Sequence, residues 1–159
     1  MSGQEIQTAI SQDIKKTPVI LIIVFIFITA GIYYPCWFLT RLEQINELDS
    51  DEKLGKGVFI FGIVLFSISL FLALISGVLE GVAEGLGDAD LLAMALGVDA
   101  MDSVLSLVVG ITLLVQCFKV RRIFRNHFNE HLGRNILFSG WATFFFQIGY
   151  LQYKINRFE

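Results

Sequence analysis

Cysteine, histidine and proline are scarce in this chain of 159 residues, with two of each. Cys36 and Cys117 both fall inside apolar runs, which argues against a disulfide framework and for two reduced, packed thiols. The pattern offers no Ser-His-Asp or Cys-His nucleophile set, no glycine loop of phosphate-cradling spacing and no pair of carboxylates facing each other across a pocket. Basic blocks are short as well. With a formal net charge of −3, no segment is basic enough to make nucleic acid the main partner.

What the chain has in abundance is apolar surface. It is 55% hydrophobic with a mean hydropathy of +0.67, above the soluble norm for a single domain of this length, so the expected core faces lipid. The run Val58 to Leu79 has 22 residues without a charge, about 33 Å of helix against a hydrocarbon core of about 30 Å. A second run, Asp99 to Phe118, is joined to it by a segment whose only charges are acidic.

The two runs carry matching stripes of small residues: Gly62, Ser69, Ala73, Ser76 and Gly77 on the first, Ser103, Ser106, Gly110 and Cys117 on the second. Spacings of three, four and seven put each stripe on one helical face. Small residues let helix backbones approach closely in lipid, where apolar surface alone gives no drive to associate. An antiparallel hairpin with facing stripes is expected, and it gathers Glu80, Glu84, Asp99 and Asp102 at its loop end.

In chain order, residues 1 to 17 are polar with Ile6, Ala9, Ile10 and Ile14 on one helical face, which fits an interfacial helix or a frayed tail. Thr17-Pro18 reads as a cap and a first-turn proline for the run PVILIIVFIFITAGIYYPCWFLT, expected to remain as a transmembrane helix bent by Gly31 and Pro35. Tyr33, Tyr34 and Trp37 are the aromatics expected at a membrane interface. Helix is expected to run on over Leu42, Ile45 and Leu48 until Asp49-Ser50-Asp51. After the second span, glycines 81, 85 and 87 suit a turn and Asp88 is placed to cap the next segment. Counting 20 residues back from the Lys119, Arg121 and Arg122 anchor reaches Asp99, which leaves Leu91 to Val98 over as a separate apolar segment.

The link from 119 to 134 reads as a basic amphipathic helix. Val120, Ile123, Phe124, Phe128 and Leu132 line one face, and Lys119, Arg121, Arg122 and Arg125 suit anionic lipid headgroups. Asn135 to Tyr153 is then just long enough for a fourth crossing. The expected architecture is a single all-α membrane domain, residues 1–159, of four transmembrane helices near 18–40, 58–80, 97–120 and 135–154. Counting Lys and Arg by side, termini outside gives 8 within and 4 without, the better of the two orientations for four crossings. Re-entrant first and last runs would put all twelve inside, but the return leg after Pro35 reads as too short.

Two ends of the chain resemble a known family. TPVILIIVFIFITAGIYYPCWFLTRLEQINELD, with Gly31-Ile32-Tyr33, Trp37 and Gln44-Ile45-Asn46-Glu47-Leu48, looks like the opening of the small prokaryotic membrane proteins grouped as domain of unknown function 4234. FKVRRIFRNHF and the closing FFFQIGYLQYKINRF, with Tyr150-Leu151-Gln152 and Ile155-Asn156, resemble that family's end; the middle of the chain finds no match. The resemblance implies a multi-helix membrane protein and transfers no catalytic residue.

Three sets of residues remain as candidates for chemistry. His127-Phe128-Asn129-Glu130-His131 is an H-x-x-E-H string of the kind that gives two zinc ligands and a base in inverted zinc peptidases, though it lacks a downstream carboxylate ligand. The acids Glu80, Glu84, Asp88, Asp90, Asp99 and Asp102 form either a cation-attracting mouth or a soluble acidic loop. Gln116, Thr143 and Gln147 fit hydrogen bonding across helix interfaces. The reading taken from the sequence is a non-enzymatic structural or accessory subunit of a prokaryotic plasma (inner) membrane, multi-pass, without cofactor. Its expected partners are lipids, further copies or a larger membrane complex. An oligomeric ion or proton channel using the acidic end is the alternative, and a metal-dependent membrane hydrolase a third.

Overall fold

The computed structural model describes residues 14–133 and 135–157, and every regular element among them is helical. In chain order these are α1 (Val19–Ile28), α2 (Tyr33–Leu39), α3 (Leu42–Glu47), α4 (Lys56–Leu86), α5 (Ala89–Arg125), a π-helical turn (Asn126–His131) and α6 (Gly140–Ile155). The amphipathic pattern of Ile6, Ala9 and Ile10 lies outside the described residues.

The hairpin of α4 and α5 is the long axis of the molecule. Only Gly87 and Asp88 separate the two helices. Gly87 takes a left-handed φ of 66°, and the Asp88 carboxylate accepts the N–H groups of Asp90 and Leu91, the cap expected from sequence. The antiparallel pairing is as predicted, but the helices are longer. Leu91 to Val98 is not a separate segment; nothing breaks the helix between Asp88 and Asp99, so it becomes the first turns of α5.

Two helices in the described chain, not four, are long and apolar enough to cross a membrane: Lys56–Leu86 and Ala89–His131, with mean hydropathies of 2.9 and 2.0 over their most apolar windows. Only 11% and 22% of those windows are buried, which sets them apart from the covered core helix of a soluble bundle.

The first apolar run does not form a crossing. It folds as a hairpin of α1 and α2 that reverses at Ala30 (φ 47°) and Gly31 (φ 90°), and Arg41 at its far end reaches back to Thr17 at its start, Nη2 to Oγ1 at 2.8 Å. The reversal satisfies its own backbone. Gly31 N–H bonds to Ile26 O at 2.9 Å, and Ile32 N–H to Thr29 O at 3.1 Å. Thr29 Oγ1 accepts from Tyr33 N–H at 2.9 Å while donating to Phe25 O at 2.7 Å. Such a tip is compatible with apolar surroundings because its donors are already paired. The return leg, judged too short when counted from Pro35, begins instead at Tyr33. Pro35 sits in the first turn of α2, where a missing N–H costs nothing.

The last run is also a hairpin. α6 breaks at Gln147 (φ 42°, ψ −121°) into arms 140–146 and 148–155. A straight helix would put Lys154 about 24 Å from Phe138, yet Lys154 Nζ lies 5.6 Å from the Phe138 ring centre and Tyr150 Oη accepts from Ser139 N–H at 2.9 Å. Both described ends of the chain therefore meet at the end of the molecule that carries the two polar links. Thr17 and Asn156 are joined by Asn156 Nδ2 to Thr17 O at 2.9 Å. Two helices among the described residues are of spanning length; four crossings, with termini and links at opposite ends, are not shown.

The apolar face of the basic link is also placed differently. Val120, Ile123, Phe124 and Phe128 are fully buried in one cluster with Leu42, Ile45, Leu48 and Leu54 of the first link. Helical spacing found that face; what the sequence could not give is that α3 and the turn after it cover it in place of headgroups. Phe38 stacks on Phe59 at 4.6 Å between ring centres, continuing this cluster into the hairpin of α1 and α2.

Candidate functional site

The small-residue stripes meet in part. Ser69 Oγ donates to the Asp102 carboxylate and lies 3.1 Å from Ser106 Oγ, Ser76 Oγ donates to Ala95 O at 3.2 Å, and Gly62 is buried against Pro35 and Leu113. Ala73, Gly77, Ser103 and Gly110 face outward instead, and a methyl added at Gly77 or Gly110 meets nothing within 4 Å. The stripes are wider than the contact, because two α-helices touch along one narrow line.

Glu80, Glu84, Asp88 and Asp90 stand at the turn end of the hairpin. Glu80 and Asp99 interact there, while Asp88 is taken up by capping. Asp102 is tied to Ser69, eleven positions inside the uncharged run of α4.

The four cations assigned to lipid headgroups divide. Arg121 Nε donates to Phe138 O at 2.9 Å, fixing the start of the second hairpin. Arg122 grips Glu52 through two bonds of 2.6 and 3.0 Å, and Arg125 is exposed. The hydrogen bond from Arg122 holds the Glu52 carboxyl below the usual carboxylate range. A depressed carboxyl adds stability above its unfolded value, near pH 4.3, and loses it as pH falls through the folded one. Between two well-solvated side chains that contribution is under about 1 kcal/mol. Glu52→Gln is accordingly expected to leave an unfolding midpoint almost unchanged at neutral pH and to remove a small acid-dependent loss, read by melting in detergent micelles across pH 3 to pH 7.

The histidine string does not converge. His127 is buried and its Nδ1 accepts from Asp49 N–H at 3.2 Å; His131 is exposed and pairs through Nδ1 with the Asp49 carboxylate at 3.1 Å. Both hold the first link, and Glu130 is exposed. Among the described residues no three side chains of His, Cys, Asp or Glu are grouped to hold a metal.

The polar centre that sequence reasoning missed ties the two short hairpins together. Trp37 Nε1 donates to Gln152 Oε1 at 2.9 Å; Gln152 Nε2 in turn donates to Asn156 Oδ1 at 2.8 Å and to Lys15 O at 3.2 Å. Beside it Arg41 is 1% exposed, lies 4.8 Å above Trp37 and bonds to Thr17 Oγ1 and Thr40 Oγ1, with no carboxylate partner among the described residues. Burial pushes its guanidinium below the ordinary value, with the Tyr33 hydroxyl opposing. Thr17 thus serves Arg41 and does not cap α1. Nearer the tips, Tyr34 Oη donates to Gln147 Oε1 and lies 3.2 Å from Cys117 Sγ. Gln147 is the predicted helix glue; Thr143 bonds only within its own helix, to Ser139 O.

The bonds from Trp37 to Gln152, Asn156 to Thr17 and Tyr34 to Gln147 fasten the first short hairpin to the second. They belong to a hairpin-built helical protein with two helices apolar enough for a membrane. A family model described as domain of unknown function (DUF4234) matches residues 17–126, and the chain belongs to that family. The match begins at Thr17 and runs through the acidic turn, which resemblance alone did not reach; the closing run lies beyond it. No curated protein and no solved structure matches the chain.

Proposed function

We propose that this chain is a non-enzymatic structural component of a prokaryotic inner membrane, acting through helix and lipid contacts, alone as repeated copies or within a larger complex. The observation that carries the reading is the distribution of charge on the fold. Eleven of the twelve Lys and Arg residues fall within the described chain. All eleven belong to the end where the links and both described termini meet, while residues 57–118 contain none. That asymmetry supports a cytoplasmic polar end, by the bias of positive charge toward inner loops. The lipid-facing side of α1 fits the same reading, with Ile20, Phe27 and Ile28 between 66% and 80% exposed.

Single cysteines test it, in a background with Cys36 and Cys117 replaced by serine. In intact cells, a cysteine at Gly87 is expected to react with a membrane-impermeant maleimide, and cysteines at the exposed Asp51, Gly133 and Arg157 only after permeabilisation. Labelling of Arg157 and Gly87 from the same side would sink the reading. The alternative of an ion or proton conductor draws on the carboxylate of Asp102 held by Ser69 within the apolar stretch. It requires flux in liposomes that Asp99→Asn with Asp102→Asn abolishes while assembly persists.

A further inference from the structure

Resting on the membrane reading above, we propose that the chain is a one-leaflet wedge that gathers on, and promotes, bilayer that is convex toward its polar end. The shape comes from where the short hairpins stop. Gly31, at the tip of the first, packs against Phe66, ten residues or about 15 Å along α4 from its start. Gln147, at the tip of the second, shares Tyr34 with Cys117, eight residues or about 12 Å from the end of α5. Both tips stop near the middle of a hydrocarbon layer about 30 Å thick.

The leaflet at the polar end is consequently crossed by six helical segments: α1, α2, the two arms of α6, α4 and α5. The opposite leaflet is crossed by α4 and α5 alone. Beyond the tips nothing else among the described residues covers those two helices, with Phe71, Leu74, Val104 and Leu107 each 62–63% exposed. A helix with its side chains is about 10 Å across, so the chain excludes about three times as much area from one leaflet as from the other. The short hairpins are built to hold that area. Their tips are pinned to α4 and α5, their bases are locked by the bonds among Trp37, Gln152, Asn156 and Thr17, and Phe27 and Phe146 stand outward at 80% and 71% exposure.

A flat bilayer must stretch the lipids around six segments or compress those around two. Curvature with the polar end on the outer, larger surface relieves both. In the orientation set by the Lys and Arg residues, that is membrane convex toward the cytoplasm, as on a tubule or the neck of an inward bud.

The test uses the full chain, fluorescently labelled and reconstituted sparsely into vesicles of mixed phosphatidylethanolamine and phosphatidylglycerol. Protein density is measured vesicle by vesicle against diameter, and sidedness is read with external trypsin, whose cleavage sites in the described chain all belong to the polar end. On vesicles of about 50 nm the density is expected to be about threefold or more that on vesicles of about 400 nm, with nearly all copies on the small ones cleaved. Equal density at every diameter, or polar ends facing the lumen of small vesicles, overturns the wedge. Alkaline carbonate extraction of the same vesicles separates the two proposals: a chain that washes off is not an integral membrane protein, whereas one that stays and shows no preference for curvature overturns the wedge alone.

Discussion

Trp37→Ala is expected to lower folding stability by about 3–5 kcal/mol, the largest single loss at a side chain in this protein. The indole is fully buried, meets Phe38 edge-on at 5.1 Å between ring centres and donates to Gln152. Removing it opens a cavity where the first hairpin meets the second, uncovers the face on which Arg41 rests and leaves the Gln152 carbonyl short of a donor. Gln152→Leu keeps the bulk but removes the bonds to Trp37, Asn156 and Lys15 O and leaves the buried indole N–H without an acceptor. It is expected to cost about 1–3 kcal/mol, less than the cavity left by Trp37→Ala. Reversible unfolding in mixed micelles, followed by tryptophan fluorescence of Trp141 and by circular dichroism, ranks the two. Equal losses would mean that the bond, and not the packing, holds the hairpins.

Gly31→Val is expected to cost about 2–6 kcal/mol, the sum of two separate penalties. At φ 90° a β-branched residue is strained by about 1–3 kcal/mol wherever it sits. A methyl at this position would also come within 2.8 Å of the Phe66 ring, adding an overpacking cost of about 1–3 kcal/mol. Turning the Phe66 ring aside relieves only the second. Gly77→Leu and Gly110→Leu are the matched controls, since both positions are exposed and a Cβ added there meets nothing within 4 Å. Both should unfold within about 0.5 kcal/mol of the parent, and any effect they have on assembly then reports contacts with other chains. The same micelle unfolding assay reads all three variants, and a neutral Gly31→Val would mean that the reversal is not a rigid feature.

The central hairpin was legible because its signals are local: an uncharged run of spanning length, an acid after a glycine, small residues at helical spacing. The short hairpins were not, because length and hydropathy alone do not distinguish a crossing from a run folded back on itself. The first run has residues enough to span, and its Gly31 reads equally as a bend or a reversal. What decides is tertiary: Thr29 supplying the bonds of the tip, and Arg41 returning to Thr17. For Asn135 to Tyr153 the sequence held no proline, and its Gly149 lies two residues beyond the reversal. Gln147 reverses the chain with an ordinary side chain in an unusual backbone state, paired with the Tyr34 hydroxyl. Glu80, Glu84, Asp88 and Asp90 stand at the turn end of the hairpin, but Asp102, expected with them, lies beside Ser69 within the apolar run; the histidine string looked like chemistry only because its spacing matched while its side chains serve the first link.

The absence of any Lys or Arg between Lys56 and Lys119 bears on how such a chain is made. In the proposed orientation, nothing of the described chain beyond the tip of the α4–α5 hairpin has to be translocated during synthesis, and the charges that tip carries, Glu84, Asp88 and Asp90, are all negative. A membrane potential negative inside contributes about 2.3 kcal/mol per charge per 100 mV, so it draws those residues outward while it holds every described cation back. Insertion is then downhill for the tip and blocked for both described ends. In that orientation the same electrical force would act during insertion and go on opposing reversal afterwards.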